Sequence, residues 1–219
     1  MFWIKKNKTS PNDEIRETLF GDMPLELWTG DNTNDEPWTS FAAAKAKIES
    51  NEKESAIEIL KGITNQEGLE SRHYAQAFNT LKQLGHIEEN PTQLFGVVVE
   101  VGMKKNEYDL LAAYRDLSAR YYNFTGAGIV WEHPDSSIDK ELMTVLELGE
   151  EVMKNIGPWE NARPKPVKKG IVRLNLLTSK GLHFGEAPMN VMGQDPIGGG
   201  LLNASAVLMQ TLMAKTENK

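Results

Sequence analysis

The chain has 219 residues, enough for one large domain or two small ones that bury a core without covalent staples. Hydrophobic residues make up 40% and charged residues 25%, which is far from the composition of a disordered chain, and the lack of cysteine removes disulfides, thiolate nucleophiles and sulfur-ligated metal centres together. A formal net charge of -7 argues against a general nucleic-acid binder, because displacing counterions from phosphates takes clustered Lys and Arg.

The charge is unevenly spread. Residues 1–90 hold 10 basic and 16 acidic side chains and residues 91–219 hold 14 and 15, so a boundary is expected near residue 90. Met1 to Ile4 run straight into Lys5, Lys6 and Lys8, leaving no apolar stretch long enough for a signal-peptide core, and no run of about 18 apolar residues occurs anywhere. A soluble, cytoplasmic protein with no membrane contact is the expectation.

Residues 1–37 read as an arm or irregular lead-in, with Trp3, Phe20, Leu25, Leu27 and Trp28 available to pin it to a later surface. A short helix is predicted over 12–19, where Asp13 and Glu14 favour the positive end. Residues 38–90 form a helical subdomain. A first helix is capped by Thr39 or Ser40 and carries Phe41, Ala44 and Ile48 at helical spacing; a second runs over 52–63; a third runs over 71–84 and ends at Gly85. Such stripes must pack on one another. A tetratricopeptide-like unit is faintly suggested, but no second copy follows at its 34-residue period.

From Leu94 the rhythm becomes extended, and LFGVVVEV reads as a strand with a well-buried face. The segment 108–123 fits two structures. Leu110, Leu111, Tyr114, Leu117 and Tyr121 recur at helical spacing, yet a split at residues 115–118 leaves two alternating strands. The run ARYYNFTGAGIVWE, with IGPWE at 156–160, GLHFG at 181–185 and the Asp195-Pro196 step, resembles a group of uncharacterised bacterial proteins over roughly residues 94–214. That resemblance implies an Asp-Gly-type turn before the ARY segment, with Leu117 standing where the relatives usually have glycine, and it implies no active site. With it, residues 91–219 become a meander (94–102, 108–114, 119–123, 128–132), a helix over 137–156 capped by Ser136 or Ser137, a hairpin of 170–177 and 181–184, a loop over 185–200, and a last helix over 201–213. The fold class is therefore α+β: a helical subdomain followed by an antiparallel sheet covered by helices, a layer architecture of the profilin-like or sensory-domain kind.

Candidate sites are sparse. The 185–200 loop lacks the Lys-Ser/Thr of a phosphate loop and the spacing of a dinucleotide loop. Gly198, Gly199 and Gly200 nevertheless open a helix whose first N–H groups would suit an anion, unless the stretch is a purely structural loop. A pocket of His183, Glu186, Asn190 and Asp195 is the one catalytic or ligand-binding arrangement to weigh, and it requires a turn between 183 and 186, because in an unbroken strand the two face opposite ways. No metal-ligand spacing, serine elbow or cofactor motif occurs. A basic run (Lys154, Arg163, Lys165, Lys168, Lys169, Arg173) containing only Glu160 as an acid suits docking of the acidic N-terminal part or of an acidic partner, with Trp159 beside it as an anchor. The expectation is a protein-binding or self-assembling module offering a sheet edge or loop, with no cofactor. The alternative is a small-ligand sensory domain or an enzyme with a pocket near 183–200.

Overall fold

The computed structural model describes residues 10–29 and 34–217; Trp3, one of the expected pins of the arm, lies outside them. Fourteen elements follow in order: α1 (Asn12–Leu19), α2 (Leu25–Thr29), α3 (Trp38–Glu49), α4 (Lys53–Thr64), α5 (Ser71–Gln83), β1 (Leu94–Lys104), β2 (Glu107–Tyr114), β3 (Ala119–Tyr122), β4 (Gly128–Trp131), α6 (Asp139–Asn155), β5 (Ile171–Thr178), β6 (Gly181–Pro188), α7 (Met189–Met192) and α8 (Gly198–Glu217). The strands make one antiparallel sheet in the order β4-β3-β2-β1-β5-β6. The fold is α+β.

Segment 108–123 is a hairpin. β2 is held on both sides, along its length by β1 and over Leu110 to Ala113 by β3, so that the backbone groups of β1 facing it are paired. The turn is built by Asp116. One carboxylate oxygen accepts the Ser118 N–H at 2.9 Å and the other accepts the Ser71 N–H at 2.6 Å, so the turn also caps α5 from outside its own chain segment. Ser71 Oγ accepts the Asp116 N–H in return, at 3.0 Å. Leu117 adopts φ +63°, the left-handed conformation in which a leucine is strained and a glycine is not.

The two faces of the sheet are covered differently. On one lie α6 and α8, with Leu142, Val145 and Leu146 set against Val97, Val99, Leu174 and Leu176. Each such side chain withdrawn from water contributes about 1.5–3 kcal/mol. On the other face Leu19 and Phe20 at the end of α1, with Val167, cover Val98, Tyr108, Leu110 and Tyr114. α1 is held there by polar bonds as well: Asn12 Nδ2 donates to the carbonyls of Tyr108 (2.7 Å) and Asn123 (3.0 Å), Tyr108 OH donates to Asp13 (2.8 Å), and Tyr114 OH donates to the Leu19 carbonyl (2.8 Å). The arm is thus divided, since α1 belongs to the sheet while Leu25 and Trp28 of α2 join Phe41, Leu60 and Leu81 in the core of the helical subdomain.

Several boundaries differ from expectation. α3 starts at Trp38 and α6 at Asp139 without side-chain caps, the Ser137 N–H being bonded to Asp135 Oδ1 at 2.8 Å instead. β6 continues to Pro188 because β5 pairs with it throughout, as far as Ile171 opposite Pro188. Most of the expected 185–200 loop is therefore regular structure, and only residues 193–197 lie between helices.

Within the helical subdomain His73 is buried against Trp38 (ring centroids 5.0 Å), Trp28 (6.0 Å) and Phe41 (6.5 Å), and its Nδ1 has no partner among the described residues. Burial pushes its pKa below the ordinary value, with Glu70 opposing and Arg72 reinforcing the shift. The unfolded chain therefore binds the proton more tightly, so stability is full above about pH 6.5 and declines as the pH falls below it. In urea titrations at pH 7.5 and pH 5.5, the loss of stability on acidification should be smaller in His73→Phe than in the parent chain; an equal loss would remove His73 from the account.

Candidate functional site

The glycine-rich stretch is closed on itself. Asp195 Oδ1 accepts the N–H groups of Ile197 (3.0 Å) and Gly198 (2.6 Å), and the Asp195 carbonyl accepts Gly199 N–H at 2.9 Å. The chain's own carboxylate therefore occupies the helix start whose N–H groups would suit an external anion. Gly198 and Gly199 serve close approach, because a Cβ at 198 would lie 2.7 Å from Met192 Sδ, and one at 199 would lie 3.1 Å from the Gly193 carbonyl oxygen.

His183, Glu186, Asn190 and Asp195 do not form one pocket. His183 and Glu186 sit three apart in the continuous strand β6 and face opposite sides of the sheet, His183 beside Leu176 and Glu186 beside Arg173. His183 is buried, with Nδ1 3.4 Å from Thr178 Oγ1, and burial lowers its pKa. Asn190 is exposed on α7, and the Asp195 carboxylate is engaged as the cap. Between the sheet and α6 and α8, the described residues form one apolar cluster.

The basic run starts with Lys154 in α6, crosses a strap over residues 156–170 and ends with Arg173 in β5, and part of its charge is satisfied within the molecule. Arg163 bonds Asp22 (2.7 Å) and Glu17 (2.5 Å), and its guanidinium lies 4.3 Å from the Phe20 ring, so it fastens the acidic N-terminal segment to the sheet. Trp159 packs edge-on to Phe184 (5.1 Å) and donates from Nε1 to the Ala162 carbonyl. Lys165, Lys168 and Lys169 remain exposed.

Beneath the strap lies a charge cluster that sequence reading did not single out. Glu100 has no exposed surface; it accepts Arg16 Nε (2.9 Å) and Nη2 (3.0 Å), Arg173 Nη1 (3.2 Å) and Asn175 Nδ2 (3.2 Å). Arg16 also donates to the Pro164 carbonyl and Arg173 to that of Lys165, while Arg173 pairs with Glu186. The cluster ties α1, the strap, β1, β5 and β6 together. The signal was present as single charges inside the apolar runs VVVEV and IVRLNLL; their direct register, Glu100 opposite Arg173, needed the fold.

Two further features are open to a ligand. The first is the outer face of α7 and α8. Met189, Val191, Ile197, Val207 and Met213 are all large, apolar and exposed, Val207 by 51%. Asn203, Ala206, Val207, Gln210 and Met213 share one outward stripe of α8, and no charged residue occurs anywhere from 196 to 214. The second is a cleft of about 840 Å³ where α4, α5 and their connection meet the start of β1 and the end of α6. Among the described residues no group of acids and histidines is placed to hold a metal ion, and no helix is long and apolar enough to cross a membrane.

Compared with protein-family models, with curated proteins and with solved structures, the chain matches none.

Proposed function

We propose that this chain is an assembly module that binds protein, and that its first partner is a second copy of itself, held through the outer face of α8 with α7 at its rim. The observation that carries the proposal is the charge-free segment 196–214 in a chain of which 25% is charged. A long helix on a water-facing layer normally carries charge on its outer side. Here the outer stripe is Asn, Ala, Val, Gln and Met.

A second copy suits this face for an electrostatic reason. Two chains of net charge -7 repel at long range, so contact is least opposed where no further charge is buried. The α8 stripe brings no ionised group into a two-fold contact. The sheet edges offer less. β4 has four residues, and at the other edge the Leu182 carbonyl of β6 is taken by the Trp159 N–H at 2.6 Å. The α8 stripe from 203 to 213 is about 15 Å long at 1.5 Å per residue, and Met189, Val191 and Ile197 extend the exposed apolar surface beyond it.

Sedimentation equilibrium should show a monomer–dimer equilibrium with Kd at or below about 100 μM. Val207→Glu with Met213→Glu should give monomer while the thermal unfolding of the monomer is unchanged, since both side chains already face water. A parent chain that stays monomeric across that range, or a double variant that dimerises as well as the parent, would refute the proposal.

A further inference from the structure

We infer that the cleft between the helical subdomain and the sheet binds a neutral, polyhydroxylated ligand of the oligosaccharide class. The inference is independent of α8, which does not line this cleft.

Its volume, about 840 Å³, lies in the range of small-molecule sites and exceeds what one sugar ring fills. A second hollow of about 530 Å³ shares Thr64, Asn65, Phe78 and Gln93 with it, so the space continues as a groove along the underside of α4 and α5. A groove of that form takes an extended ligand.

The chemistry of the walls selects the class. The side chains of Asn65, Gln66, Thr92 and Gln93 line the cleft, and none of them makes a hydrogen bond to another described residue. Each amide presents donors and an acceptor together and each hydroxyl does both, which is the pattern that sugar hydroxyls complement. Most charged groups on the same walls are engaged within the protein: Arg115 pairs with Glu150, Lys154 with Glu151, and Asp116 caps α5, while Glu67 is exposed and in no ion pair among the described residues. An anion would meet Glu67 and would have to break those pairs, whereas a neutral ligand leaves them in place.

The floor is aromatic. Phe95 at the start of β1 is stacked between Tyr74 (ring centroids 6.0 Å, planes 22° apart) and Phe78 (5.4 Å, 24°), and the outer two rings are only half-buried. Tyr74 OH donates to the Gln66 carbonyl and accepts the Leu69 N–H, which fixes the ring and holds the α4–α5 connection over the cleft. A sugar ring lays its C–H face on such a platform while its hydroxyls reach the surrounding amides. An uncharged peptide shares the hydrogen-bonding capacity but gains less from this floor, because its backbone has no equivalent apolar face.

The test is nitrogen–proton correlation NMR on the full chain, following the side-chain amides of Asn65, Gln66 and Gln93 during titration with maltohexaose, cellohexaose and chitohexaose. At least one of the three should move those resonances with Kd at or below about 1 mM, and Gln66→Ala with Gln93→Ala should weaken it by about tenfold or more. Backbone resonances elsewhere confirm that the variant remains folded. No movement with any of the three, or a response undiminished in the folded double variant, overturns the inference. So does stronger binding of an uncharged Gly-Ser-Ala peptide, which would give the cleft to a protein segment.

Discussion

Replacing Glu100 with alanine is expected to destabilise the protein by about 3–5 kcal/mol, the largest effect of any single substitution considered for this fold. Its carboxylate is fully buried and is the shared acceptor for Arg16 and Arg173, whose side chains are 4% and 5% exposed. Removing it leaves two guanidinium groups facing each other out of water. Arg173 keeps Glu186, but Arg16 keeps the Pro164 carbonyl, the Phe20 ring and a looser contact to Glu17 at 3.8 Å. The loss should therefore include detachment of α1, read as new exposure of Tyr108 and Tyr114 and faster amide exchange over 12–20. Substituting all three charges with apolar residues of similar size should cost far less than Glu100→Ala alone, because the expensive state is the unpaired charge. Equal costs in urea unfolding would show that packing, and not charge, governs the cluster.

Gly102→Ala should cost about 1–3 kcal/mol, with the damage confined to the strap. A Cβ at Gly102 would overlap the carbonyl oxygen of Lys168, and the Gly102 carbonyl already accepts the Gly170 N–H at 2.7 Å. The clash is with backbone at both ends, so no side-chain rotation relieves it. β1 has its register shift here, between Gly102 and Lys104, and the strap runs into that gap on its way to β5. Gly185→Ala is the matched control. Its Cβ meets nothing within 4 Å, and the exchange should be neutral or slightly stabilising through the unfolded chain. If Gly102→Ala unfolds at the same urea concentration as Gly185→Ala, the strap is not seated as described.

The sequence carried the local elements well where one physical signal stood alone. Asp13 and Glu14 after Pro11 marked α1 at its observed bounds, and the helical stripes of 38–84 produced three packed helices. Segment 108–123 was ambiguous because its residues satisfy both periods, and the decision came from outside it: from β1 alongside and from Asp116 reaching Ser71. Position 117 shows the same limit, since a leucine in the left-handed region is tolerated only in a turn fixed by such contacts. Asp195 stands three residues before Gly198, the spacing of a helix cap, yet beside so many glycines it read equally as a pocket acid. Glu100 and Arg173 were visible as charges in apolar strands, but their pairing depends on a register between segments 73 residues apart. The two open surfaces were illegible for a related reason. The outward stripe of α8 is defined by what its inner side packs against, and the cleft by two subdomains meeting.

The most direct test of self-assembly uses the lack of native cysteine. Single cysteines placed at Asn203, Ala206, Val207 and Gln210, with Glu54→Cys as an exposed control on α4, give one thiol per chain for mild oxidation at a concentration above the dimer Kd. At least one position on the α8 stripe should form a disulfide-linked dimer rapidly, because residues near a two-fold axis bring their Cα atoms within about 4.4–6.8 Å, while the α4 control should stay monomeric. Cross-linking at Glu54→Cys as fast as at any α8 position, or no cross-linking along α8, would contradict the account.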